Sequence, residues 1–233
     1  MASDKLKELA QYSACDISDA LLKFDVPNAG FLPDIVPLQT SGKIVAPATT
    51  VLFVSKTTPS FPGHGPEDHL PSPAASSNIP TGSIYSDLMA PGTIAVLSQP
   101  QGSVTATMGS VHAARMNKLG VKGVLVDGRV RDVQYLKEEL DMPVWCKTTS
   151  LVATKGQCKA HGINVPIDIG GTRVTEGDII VLDPAENGAL CIPKDKVDQV
   201  LELVARLVEL DRKTMADIAL GCSVEETSQK YVK

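Results

Sequence analysis

Arg131 and Asp132 set a permanent cation beside a carboxylate just past an apolar run, and this pair carries the most chemistry in the sequence. A guanidinium grips carboxylates and enolate-like oxygens at two points. A carboxylate holds a hard divalent cation such as Mg2+ or Mn2+, which accepts one or two acidic ligands and keeps most of its waters. Together, these groups can stabilise the enolate formed when a carbon–carbon bond beside a 2-oxo acid breaks. The plain alternative is an ordinary surface ion pair, solvated and worth little. Upstream, Gly109, Ser110, Val111 and His112 open a helix-like stretch whose leading amides suit a substrate carboxylate. His112 can serve there as acid, base or donor, or it can simply pack beside the helix. Arg115 either adds a second charge to the site or pairs on the surface.

Local patterns supply the elements that would hold these groups. Ser110 is a good N-cap, residues 111–119 are helix formers, and Gly120 stops them. Residues 123–126 form a short apolar run of the kind found in a covered, parallel strand. Asp127-Gly128 reads as a turn, which leaves Arg131 and Asp132 beyond the strand's carboxyl end. Ligands of α/β proteins collect in that place. No G-x-S-x-G elbow surrounds Ser110, so a serine hydrolase is not indicated.

The rest of the chain reads as one domain over 1–233. Residues 3–24 predict two short helices, with Asp16 and Asp19 as a capping box or, alternatively, facing a site. Residues 43–54 and 93–97 predict strands. The 57–82 stretch is an irregular Pro/Ser-rich arm, read as a lid or subunit contact. It holds His64, Glu67, Asp68 and His69, but Pro66 breaks the helical spacing of a zincin motif. Residues 144–153, 163–169, 179–182 and 189–192 predict further strands, with turns at Gly170-Gly171 and Glu176-Gly177-Asp178. This β-rich half suits two stacked sheets with helices on one side. A C-terminal helix over 194–221 carries an apolar seam through Val197, Leu201, Val204, Val208, Met215 and Ile218. Asp211 falls on that seam, where a lone carboxylate is costly unless paired or functional.

Composition narrows the function classes. A chain of 233 residues with 43% hydrophobic content can bury a full core. Its formal net charge of -5 argues against a nucleic-acid surface. No apolar run is long enough to span a membrane. The five cysteines lack CxxC spacing, and the first residues lack the apolar core of a signal peptide, so a cytoplasmic protein with free thiols is expected.

The segment GVKGVLVDGRVRD resembles the G-x-x-G-x-V-x-D-G-x-x-R-D signature of the RraA-like family. INVPIDIGGTRVTEGDIIVLDPAENGALCIP is similar to that family's later block, CDISDAL to its opening helix, and DLMAPGTIAVLSQPQG to the strand before the site. The resemblance implies an α/β, layered β/β/α swivelling-domain fold with N- and C-terminal helices. It further implies a class II, metal-dependent pyruvate aldolase or oxaloacetate decarboxylase. The substrate would be a small 2-oxo acid of the 4-hydroxy-4-methyl-2-oxoglutarate or oxaloacetate type, and Mg2+ or Mn2+ the cofactor. Arg131 and Asp132 would be catalytic, with Asp132 on the metal. A homotrimer or hexamer is implied, its sites completed across the interface by an acidic group of the last helix, Asp211 or its rival Glu209. In the isolated sequence, pairing of Asp211 with Arg206, Arg212 or Lys213 is an equal alternative. The bacterial aldolases of this family carry Asp or Glu where Ser110 stands, so weaker metal binding or a changed substrate is expected. Two rivals remain: a Schiff-base aldolase using Lys56 or Lys147, and a non-catalytic protein-binding regulator, as some family relatives are.

Overall fold

A computed structural model describes residues 2–39, 42–56 and 76–231. The reading of the 57–82 arm, including His64, Glu67, Asp68 and His69, therefore lies outside the described residues except for 76–82. That end of the arm is tied to the body by Asn78, which exchanges two 2.8 Å hydrogen bonds with the backbone of Ile163.

The architecture turns on one long strand, β2 (Ile44–Ser55), which takes part in two sheet segments. Its middle pairs in parallel with β3 (Ile94–Ser98), and β3 in turn pairs with β4 (Gly123–Val130) and β4 with β5 (Val144–Thr149), all parallel. The two-residue β1 (Val36–Pro37) closes the β5 edge, and β6 (Cys158–Ile163) runs antiparallel to the end of β2. The first residues of β2 pair instead with β9 (Ile179–Asp183), which continues to β10 (Gly188–Ile192). A hairpin of β7 (Ile167–Ile169) and β8 (Thr172–Val174) lies between β6 and β9 in sequence. The result is a nearly closed, mixed sheet.

Alternation along the strands explains the three cores. Val124 and Val126 of β4 point to one face, where α3 (Ser110–Lys118) and α4 (Val133–Glu138) bring Ala113, Met116 and Leu136. Leu125 points to the opposite face and meets Trp145, Ile180 and Leu182 in the space between the sheet segments. The outward residues of β9, Ile179 and Val181, pack under α1 (Ala2–Leu9), α2 (Ala14–Leu22) and α5 (Val197–Ala219). Strands covered on both faces need unbroken apolar runs, which is why residues 123–126 and 179–182 look as they do. Helices cover both outer faces, not one as the sequence suggests, because β4 and β9 each have an apolar side turned outwards.

Several local expectations shift. The N-terminal capping box belongs to Ser13 and Asp16: the Ser13 hydroxyl accepts from the Asp16 amide at 3.0 Å and the Asp16 carboxylate from the Ser13 amide at 2.9 Å. Asp16 is thus the N3 partner, not the cap, and Asp19 is exposed. Residues 163–169 split between β6 and β7. The last helix ends near Gly221 as expected, but α6 (Val224–Tyr231) follows, fastened to α5 by Lys230 on Asp217 at 2.6 Å. The seam of α5 is buried only in its first half, at Val200, Leu201 and Val204. Met215 is 66% exposed and Asp211 is exposed, so no burial penalty falls on that carboxylate.

Candidate active site

β4 does not turn at Asp127-Gly128 but continues through a bulge, with a register shift against β5 between Val126 and Arg129. An extra residue in one strand bends it and re-aims the side chains beyond. The strand then zips onto the segment leading into α3. The Thr107 amide donates to the Arg129 carbonyl at 2.9 Å, and the Arg131 amide to the Met108 carbonyl at 3.0 Å. At the end of that run Asp132 takes a left-handed conformation, φ 60° and ψ 43°. A non-glycine residue held there costs on the order of 1 kcal/mol.

The reason for the contortion is the carboxylate. Asp132 Oδ2 accepts the Ser110 amide at 2.9 Å and the Ser110 hydroxyl at 2.8 Å. The N-cap residue of α3 is Gly109, not Ser110, and it has no side chain to cap with. Asp132 supplies the cap from across the site. Gly109 has to be glycine for space, since a Cβ there would lie 2.6 Å from Asp132 Oδ2 and 3.0 Å from Arg131 Cγ. The Ser110 amide above all, with its hydroxyl and the Arg131 charge, holds the Asp132 carboxyl below its usual range, and partial burial opposes them. It is an anion at neutral pH.

Arg131 does not clamp its neighbour. Its Nε lies 3.8 Å from Asp132 Oδ2, and the two side chains are 40% and 37% exposed. The guanidinium and the carboxylate are therefore side by side at the surface, both open to a ligand. The helix offers further donors. The first intrahelical bond runs from the Ala113 amide to the Gly109 carbonyl, leaving the Val111 and His112 amides outside the ladder.

His112 is half-buried against Tyr85, with ring centroids 4.8 Å apart, and its Nδ1 lies 3.0 Å from the Ser86 hydroxyl. Burial pushes its pKa down, the Arg131 charge pushes it further, and Asp87 opposes. The imidazole is neutral at pH 7. Arg115 pairs with Asp87 at 2.6 Å, which is the surface alternative the sequence leaves open.

Other candidates sit elsewhere. Asp211 and Glu209 lie on α5, which packs chiefly against α2. Glu209 takes Arg212 at 2.9 Å and Lys213 at 3.4 Å, and Arg206 takes Glu202. Lys147 pairs with Asp127 at 2.6 Å, and Lys56 Nζ donates to the Lys155 carbonyl. Neither is the bare, desolvated amine that Schiff-base chemistry requires. Tyr85, Ser86 and Gln99 have no local signal in the sequence because they meet the site only through long-range contacts. A cavity of about 410 Å³, lined in part by Val26, Thr172, Arg173, Cys191 and Lys194, is separate from the pair.

Among the described residues no group of three or more His, Cys, Asp or Glu side chains gathers as a metal cage. The donor set at the pair is one ionised carboxylate beside donors for a second anion. That fits a hard, largely hydrated divalent ion, shared with a substrate that brings its own oxygens.

Known proteins share the sequence pattern and the shape of this chain. The chain belongs to the RraA-like family, whose Aldolase/RraA model matches residues 14–190. Protein DlpA of Legionella pneumophila is 25% identical over 97% of this chain, which covers 33% of DlpA. A protein of Halalkalibacterium halodurans provisionally named 4-hydroxy-4-methyl-2-oxoglutarate aldolase is 31% identical over 58% of this chain and 65% of its own length. The chain thus spans less than two thirds of these relatives. The fold matches Streptomyces coelicolor RraAS2, described as an unusual member of the RNase ES inhibitor RraA protein family. Its TM-score is 0.72 at 21% identity, covering 92% of this chain and 98% of that one. No described helix is long and apolar enough to cross a membrane.

Proposed function

We propose that this protein is a divalent-metal-dependent carbon–carbon lyase acting on small 2-oxo dicarboxylic acids, with pyruvate as a product. The observation that carries the reading is the geometry of Arg131 and Asp132: adjacent, charged, exposed and not spent on each other, at the mouth of α3. The aldolase-named relative supports the same class of chemistry.

In this reading Arg131 binds the 2-oxo acid end and steadies the enolate oxygen. The amides of Val111 and His112, with the helix dipole, seat the distal carboxylate. Asp132 holds Mg2+ or Mn2+, which when bound supplies Lewis-acid polarisation of the 2-oxo group. With oxaloacetate the bond to the distal carboxyl carbon breaks, its electron pair passes into the enolate of pyruvate, and carbon dioxide leaves. With a 4-hydroxy substrate the hydroxyl proton is lost, the bond to the enolate carbon breaks, and a carbonyl product departs. Neutral His112 is the candidate on this chain to take or return that proton. The enolate carbon finally takes a proton to give pyruvate, the one removed from the hydroxyl in the 4-hydroxy case and one from solvent water in the decarboxylation.

The pair stands at an open surface, and exposed apolar residues lie next to it. Val111 is 78% and Leu151 96% exposed, and the Ser150 amide beside Leu151 bonds the Val130 carbonyl. We infer that a second copy of the chain covers this region in a homotrimer or hexamer, bringing Asp211 or Glu209 to its neighbour's site. The same exposed surface also favours a second reading, a protein-binding regulator, in line with the named role of the Streptomyces neighbour's family.

The test is pyruvate release from oxaloacetate and from 4-hydroxy-4-methyl-2-oxoglutarate, with added Mg2+ and with chelator. Chelator-sensitive turnover without borohydride trapping is expected. No turnover on either substrate at any metal concentration favours the regulator.

A further inference from the structure

We propose that Gln99 is a positioning residue for the Arg131–Asp132 pair, acting through the bulge in β4; the proposal rests on the lyase reading above. Gln99 follows β3 and is buried, 6% exposed. Its Oε1 accepts the Arg129 amide at 2.7 Å, its Nε2 donates to the Thr105 carbonyl, and its own amide donates to the Asp127 carbonyl at 3.3 Å. The partners of its side chain are a backbone donor and a backbone acceptor, so neither a carboxylate nor a flipped amide satisfies both.

These bonds form a closed ring. Gln99 holds Arg129, the Arg129 carbonyl accepts the Thr107 amide at 2.9 Å, and the Thr105 carbonyl returns to Gln99. The next contacts along the same two segments are Arg131 to Met108 and Ser110 to Asp132. The ring therefore sets the start of the zipper whose far end is the site. Gly128 is shaped around it. With φ at +156°, its backbone passes so close that an added Cβ would overlap Gln99 Oε1. One buried amide thus fixes both segments, the one carrying Ser110 and the one carrying the charged pair. Ångström-scale misplacement of catalytic groups can cost on the order of 100-fold in rate, and this ring is what prevents it.

The test uses the full chain, wild type, Gln99→Met and Gln99→Glu, with residue-resolved amide hydrogen exchange and oxaloacetate turnover in Mg2+. Gln99→Met removes both bonds. Its Arg131 and Ser110 amides are expected to exchange at least about 10-fold faster while the β3 amides keep their protection, and kcat to fall about 10- to 100-fold with little change in KM. Gln99→Glu keeps an acceptor for Arg129 but turns an oxygen towards the Thr105 carbonyl. It is expected to keep the Arg129 amide protected and to lose less activity, which guards against a Met variant that fails to fold. Wild-type exchange at Arg131 and Ser110 in both variants overturns the proposal, as does an activity loss matched by an equal loss of folded protein. If the wild-type protein turns over no 2-oxo acid, the lyase reading fails, and the exchange comparison alone decides whether Gln99 holds the pair.

Discussion

The carboxylate of Asp132 caps a helix that begins 22 residues before it, taking both the amide and the hydroxyl of Ser110 on one oxygen. One side chain thus locks β4 to α3 and leaves an anion at the site's edge. Capping and metal binding make different demands on that side chain, so substitutions can separate them. Asp132→Asn keeps an acceptor for Ser110 but removes the charge. It should melt within a few degrees of wild type while losing Mn2+ binding and at least about 100-fold in turnover. Asp132→Ala also loses the cap and should cost a further ~1 kcal/mol, the usual penalty for an N-cap. Urea denaturation of the three proteins checks the stability half, and Mn2+ titration the rest.

Arg131→Lys tests the two-point grip. The ion pair to Asp132 is long and exposed, so stability should stay within about 0.5 kcal/mol of wild type. An ammonium cannot present the planar fork, and kcat/KM for a 2-oxo dicarboxylate should fall roughly 100-fold. Steady-state kinetics with thermal melting of the same preparation distinguishes this from a folding defect.

Gly109→Ala is expected to damage the site through space alone. Its φ of -137° suits any residue, but the new Cβ would meet Asp132 Oδ2 at 2.6 Å. The carboxylate has to move off Ser110, so activity should fall at least about 10-fold and the cap's ~1 kcal/mol should be lost. A variant with unchanged Mn2+ affinity and unchanged melting temperature would show that the close approach does not matter.

His112 gives a pH dependence of known sign. Burial first, then the Arg131 charge, lowers its pKa in the folded chain. As pH falls through the ordinary histidine range near 6.5, the unfolded chain binds a proton there before the folded chain does, so stability declines. The decline stops once pH passes below the folded pKa. His112→Gln should remove this component, flattening the urea midpoint between pH 7 and pH 5. An identical slope in the variant would place the titration on another residue.

Local features are the ones legible in the sequence. The residue 123–126 run, the Gly120 stop and the Gly170-Gly171 hairpin each depend on neighbours within a few positions, and each is present. Ser110 looks like a cap because Ser is a good one. The true cap is a carboxylate distant in sequence, placed by a strand bulge. Asp127-Gly128 has the composition of a turn. Yet Gly128 is there to let Gln99 pass, a contact with no local signature. Asp211 reads as buried because the seam's period continues past Val208, while the fold stops covering α5 there. Arg131 and Asp132 stand out because their types and spacing are unusual; that Ser110 and His112 come to them depends on the parallel sheet bringing α3 to the end of β4.

The most direct measurement is pyruvate release from oxaloacetate in saturating Mn2+ by wild-type protein and by Asp132→Asn, each corrected for spontaneous decay. Turnover above background is expected for the wild type, abolished by chelator, with at least about a 100-fold loss in the variant at equal folded concentration. Equal rates for the two proteins, or a wild-type rate indifferent to chelator, would contradict a metal-bearing role for Asp132.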